Sequence, residues 1–238
     1  MFFPIRDDSP TVRRPYLTVT LIAVNSLVFL WSYFQGPQSF QFTMFNYGYI
    51  PNLFLHPAEY ADVPSHLLVT PLTSMFMHGG WMHLIGNMLF LWIFGNNIED
   101  YFGPIKFLLF YLISGFAAIT LYTLFNPGSE VPLVGASGAI AGVMGGYLVL
   151  HPKAEITCLI VFFFIQFVVL PAKIVLGIWF GLQILMSLLG SSSGGGVAWL
   201  AHVGGFIFGF LILKAIVKFR GGGNVSSGDR QRIYRMQW

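Results

Sequence analysis

Apolar residues in this chain come in long blocks rather than at amphipathic intervals. Six blocks, 16–34, 81–98, 107–125, 133–150, 172–189 and 197–217, are nearly free of charge. A bilayer core about 30 Å thick needs roughly 20 apolar residues in a helix, so each block predicts a membrane-spanning helix. Block 81–98 is the most polar of them. A further apolar run, 156–170, is separated from 172–189 only by Pro171. The long stretch 35–80 carries its own apolar segment, Gly48–Leu55. It is expected to fold against the membrane surface or partly enter it, which non-helical backbone can do only where protein or water satisfies it. The sequence shows no internal repeats and no heptads, and its low-complexity tracts are Ser191–Gly196 and Gly221–Gly223.

Composition agrees with the pattern. Charged residues are 9% of the 238 and hydrophobic residues 55%, with a mean hydropathy of +0.71. A soluble domain carries about 25% charged residues, so a water-soluble enzyme and a disordered chain are both excluded. The net charge of +3 is too small to suggest nucleic-acid binding. Cys158 is the single cysteine, so neither an internal disulfide nor a cysteine metal cluster can form. The first 14 residues are polar, and no cleavable signal peptide is visible.

The basic residues set the orientation. None occurs between Arg14 and Lys106. Basic residues mark the cytoplasmic side, which places both termini inside and the loops 35–80, 126–132 and 190–196 outside. A seventh span at 156–170 would carry the basic C-terminal tail outward, so that segment is read as interfacial or re-entrant. The organisation expected is a cytoplasmic segment 1–15, a six-helix domain 16–217 and a basic cytoplasmic tail 218–238. A compact chain of this kind suggests a bacterial plasma (inner) membrane.

Polar groups inside spans are costly and point to function. Three clusters stand out: His78-Gly-Gly-Trp-Met-His83 with Asn87, Gly135-Ala-Ser137-Gly138, and Ala201-His202 with Gly205 and Gly209. Their spans all start on the outer side. Ser137 lies about four residues into its span, His202 about five, His83 about two and Asn87 about six, hence roughly 3–10 Å deep at 1.5 Å per residue. A serine, two histidines and an asparagine at one depth supply a nucleophile, a base and oxyanion donors. No Asp or Glu falls in a span core, which leaves a Ser–His dyad rather than a Ser–His–Asp triad. Taken singly, a serine in a membrane helix bonds its own backbone, and a lone histidine can be structural. The glycines Gly138, Gly142, Gly145, Gly146, Gly205 and Gly209 read as close-packing faces, and close packing is what a Ser–His contact between two helices requires.

Gly135-Ala-Ser137-Gly138, His78-x4-His83-x3-Asn87 and Ala201-His202 with Gly205-x3-Gly209 resemble the rhomboid family of intramembrane serine proteases. So does the run Gly95-x3-Glu99-x3-Gly103. The resemblance covers about residues 16–217 with the motifs in the family's order. It implies an all-α membrane protein, a six-transmembrane-helix rhomboid fold with a long membrane-associated first loop. It further implies Ser137 as nucleophile, His202 as general base, and an oxyanion hole from His83, Asn87 and the Ser137 backbone amide. His78, Gly135, Gly138, Gly205 and Gly209 are near-site or structural positions, and Glu99 a structural residue at a cytoplasmic helix end. The implied substrates are transmembrane proteins, cleaved in or beside a membrane helix, with no cofactor, no metal and no nucleic acid. Two positions depart from the family: Ala141 stands where some members pack an aromatic under the histidine, and Val69-Thr70 where some carry Trp-Arg. Lateral access is assigned to 172–189 and its loop Ser191–Gly196, against span 81–98. The competing readings are an inactive rhomboid-like helix binder and a small transporter, against which the lack of inverted repeats counts.

Overall fold

Proline and glycine set most of the helix boundaries in the computed structural model, which describes residues 2–161, 164–189 and 198–222. Pro15 precedes α1 (Tyr16–Tyr33); α2 (Pro37–Tyr47) and α3 (Pro51–Leu55) open on prolines, where a missing N–H costs nothing. Short α4 (Thr70–Thr73) completes the first loop with single turns of 3-10 helix at Pro57–Glu59, Leu67–Val69 and Ser74–Phe76. Next comes α5 (Trp81–Phe102), which ends at Gly103. That glycine takes φ 75°, a conformation that side chains disfavour. The chain then reverses at once into α6 (Pro104–Phe125). The order ends with α7 (Ser137–Leu150), α8 (Ala172–Leu189) and α9 (Trp199–Gly222).

The fold is mostly helical, and every apolar block yields a helix. By length and composition α1, α6, α8 and α9 can cross a bilayer. Helix α5 has 22 residues but carries Asn96, Asn97, Glu99 and Asp100 near its end, and α7 has only 14. Block 133–150 starts its helix later than its hydropathy suggests. Leu133 pairs with Tyr49 in an isolated β-bridge and Gly135 adopts φ 128°, so the helix is delayed until Ala136 turns into it and Ser137 becomes the first helical residue.

The segment 156–170 is neither a re-entrant helix nor a span. It forms strands β2 (Glu155–Val161) and β3 (Ile165–Pro171), antiparallel neighbours in a three-stranded sheet completed by β1 (Phe2–Asp7). Strands this rich in Val, Ile and Phe favour a pleated surface. On one face of the sheet Ile156 and Cys158 are fully buried against the bundle.

Buried hydrogen bonds fasten the same end. The Glu99 carboxylate accepts from the backbone N–H groups of Leu17 and Thr18 and from the Thr18 hydroxyl (2.7–2.9 Å), capping α1. Asp7 accepts from Tyr147 Oη at 2.8 Å and Asn97 Nδ2 at 3.0 Å. The starts of α1 and α8 and the ends of α5 and α7 therefore gather at one pole with Arg6, Arg13, Arg14, Lys106, Lys153 and Lys173. The loop Ser191–Gly196 and residues 223–238 of the expected tail lie outside the described residues.

Candidate active site

The core is built on α7, whose residues 139–147 are all buried. Glycines make that depth possible. A methyl group on Gly205 would meet the carbonyl of Gly138, and one on Gly209 the backbone of Gly142. Ala141, fully buried, would lie 3.4 Å from a Cβ on Gly205. The residue that replaces an aromatic is thus one of the small residues that bring α7 and α9 together.

That approach joins Ser137, at the start of α7, to His202, in the first turn of α9. Ser137 Oγ lies 2.7 Å from His202 Nε2, although 65 positions separate them in sequence. On the other ring nitrogen, Nδ1 lies 2.7 Å from Oε1 of Gln183 in α8. An amide oxygen only accepts, so Nδ1 carries the proton, Nε2 is the acceptor, and the Ser137 hydroxyl donates to it. Trp179 lies across the imidazole with ring centroids 5.8 Å apart and planes 33° apart, and Trp199 meets it edge-on at 6.3 Å. These two rings answer what supports His202 in the absence of an aromatic at 141.

His83 and Asn87 stand on the facing wall, one turn apart on α5. The N–H of Gly79 approaches His83 Nδ1 at 3.4 Å, which leaves Nε2 as the donor. Nε2 faces Gly135, where a Cβ would stand 2.7 Å from it, and that glycine also borders Ser137 Oγ. Gly135 is therefore required twice, by its positive φ and by the ring beside it. Asn87 Nδ2 donates to its own helix, to the His83 carbonyl at 2.9 Å. The Ser137 N–H, at the first turn of α7, belongs to the helix-terminal donors that lack an intrahelical acceptor. His78 is fully buried, its ring 5.2 Å from that of His83 and edge-on to it.

Ser137, His202, His83, Asn87 and Gly135 border one cavity of about 600 Å³ that also reaches Met75, Ile119 and Trp179, whereas Gln183, Trp199 and His78 stand behind its wall. The structure thus brings together Ser137, His202, His83 and Asn87 as the sequence suggested, and adds Gln183, which sequence reasoning passed over. The signal was present: Gln183 is an uncharged polar residue inside an apolar block, the same kind of feature that singled out the other clusters.

Comparison with known proteins gives the family of the chain. Residues 66–219, well over half of the chain, match the rhomboid domain family model. RHOMBOID-like protein 4 of Arabidopsis thaliana is 38% identical over 141 residues, 59% of this chain and 32% of that protein. Rhomboid protein 1, mitochondrial, of Saccharomyces cerevisiae is 30% identical over 219 residues, 86% of this chain and 55% of that protein. Rhomboid protease GluP of Bacillus subtilis is 31% identical over 135 residues, 57% of this chain and 24% of that protein. The chain thus spans 24% to 55% of the length of these relatives. The family match, the apolar helices and the buried polar site coincide in one region, and the chain belongs to the rhomboid family of multi-pass membrane proteins.

Proposed function

We propose that this chain is an intramembrane serine endopeptidase that hydrolyses a peptide bond in or next to a substrate's transmembrane helix, near the outer membrane face. The observation that carries this reading is the 2.7 Å contact between Ser137 Oγ and His202 Nε2 at the edge of a mostly apolar cavity among apolar helices. His202 takes the Ser137 proton as the oxygen attacks the carbonyl carbon. The developing oxyanion is met by His83 Nε2–H and the Ser137 N–H. Asn87 joins them on releasing the His83 carbonyl. Each such donor is worth about 3–4 kcal/mol in soluble serine hydrolases. His202 then protonates the departing amine, and a water molecule repeats the sequence on the acyl-enzyme.

Six spans, with both termini in the cytoplasm of a bacterial cell, fit the basic pole formed by the N-terminal segment and the α7–α8 connection. On this reading the first loop faces the outer leaflet, and substrates are transmembrane proteins that arrive from the lipid. A fluorophosphonate serine probe tests the enzymatic reading. Labelling of the wild type that disappears in Ser137→Ala supports it. A well-folded protein that never labels identifies an inactive helix-binding member of the family.

A further inference from the structure

Helix α8 touches the bundle lightly. Of its 18 residues only Ala172, Val175, Leu176 and Gln183 are buried, and Gln183 alone of these is polar. A carboxamide in an apolar helix is costly unless it is hydrogen-bonded. Gln183 is 5% exposed, and its Oε1 meets His202 Nδ1 at 2.7 Å. Trp179, four residues earlier and hence on the same face of α8, lies over the same imidazole.

A neutral imidazole has one N–H to place. If it sits on Nε2, the ring cannot accept the Ser137 proton. In soluble serine proteases a buried aspartate makes that choice, and its amide replacement drops turnover about 10⁴-fold through the wrong tautomer. Here an uncharged group takes the carboxylate's place: a carboxamide oxygen, aimed by its helix, accepts from Nδ1. An uncharged acceptor also avoids placing a carboxylate at membrane depth.

We propose that Gln183 is the positioning residue of the Ser137–His202 pair, fixing the Nδ1–H tautomer of His202 from α8. For its effect on rate the proposal rests on the serine-protease reading; for the tautomer it does not. Two consequences follow. The base is armed only while α8 is docked, because its orienting atom belongs to that helix. Outward displacement of α8 to admit a substrate therefore separates Gln183 from His202, and cleavage waits for α8 to return.

The test has two arms. In the first, ¹⁵N-histidine-labelled protein in micelles is studied by NMR, with His202→Asn assigning the His202 signals. The wild type should show a protonated Nδ1 and an unprotonated Nε2, and Gln183→Leu should show a mixture of tautomers. In the second, probe labelling of Ser137 should slow about 10- to 100-fold in Gln183→Leu, by analogy with the loss of the partner that orients a metal-bound histidine. Gln183→Glu, which keeps the acceptor, should recover most of that loss, whereas loss of packing alone would not be rescued by a charged residue. A wild type with its proton on Nε2 overturns the proposal by itself, even if Gln183→Leu fails to fold. So does a folded Leu variant with unchanged tautomer and labelling rate. A wild type that carries the Nδ1 proton but never labels would contradict the protease reading and leave the role of Gln183 on the tautomer standing.

Discussion

The two helices that flank His202 are held in opposite ways. Between α7 and α9 the backbones nearly touch: Gly138 and Gly142 face Gly205 and Gly209, and no side chain fits between them. Helix α8 has Gly177 and Gly181 in open space and exposes Ile178, Leu182, Leu185 and Leu188. The first interface fixes the Ser137–His202 distance and cannot flex without losing contact. The second holds α8 through few buried residues while contributing Gln183 and Trp179 to His202. We propose that the closely packed pair sets the nucleophile geometry and that the lightly held α8 is the side on which substrate is admitted.

The contrast can be broken most completely by covalent restraint. Cysteines introduced in the outer halves of α5 and α8, in a Cys158→Ser background, should on crosslinking abolish cleavage of a transmembrane substrate. A small soluble serine probe should still label Ser137. Full cleavage by the crosslinked protein would show that substrates arrive elsewhere.

Glycine substitutions sharpen the same division. Gly205→Ala and Gly209→Ala force backbone apart and should each cost about 1–3 kcal/mol, the range for overpacking, with activity falling further as Ser137 and His202 separate. Gly181→Ala meets open space and should be neutral or stabilise by up to about 1 kcal/mol through helix propensity. Unfolding in micelles distinguishes them, and equal effects at the three sites would remove the contrast.

At the basic pole, Glu99→Gln leaves fewer acceptors for three donors of α1, two of them buried. A loss of about 1–3 kcal/mol is expected, seen as faster hydrogen exchange at Leu17 and Thr18 while α8 amides are unaffected. The smallest effect concerns Asp7. Burial holds its carboxyl above the usual carboxylate value of 3.8, while the hydrogen bonds from Tyr147 and Asn97 act in the other direction. The folded state then binds that proton more tightly than the unfolded state. Docking of β1 is strongest below pH 3.8 and weakens as pH rises through the raised value. Exchange protection of β1, corrected for intrinsic rates, should fall as pH rises above 3.8; a rise would reverse the sign.

Much of this was legible in the sequence because a bilayer leaves few solutions. Long apolar blocks become helices, and polar residues within them are conspicuous, so Ser137, His202 and His83 could be placed at one depth before any coordinates. What escaped depended on distant partners. The sheet needs β1 to meet β2 across about 150 residues, and no local period announces that pairing. The late start of α7 follows from the Tyr49–Leu133 bridge, which hydropathy cannot register. Gln183 looked like one polar residue in an apolar run, and its meaning depends on the rotation of α8 toward α9.

We propose that Ser137 and His202 act as one unit on a peptide bond within the bilayer. The most direct test is cleavage of a transmembrane test substrate in liposomes by Ser137→Ala, His202→Ala and the double variant. Members of one catalytic unit are strongly non-additive, so the three should lose activity to the same residual rate while remaining folded. A double variant far slower than either single one, or a single variant that still cleaves at the wild-type rate, would contradict the account.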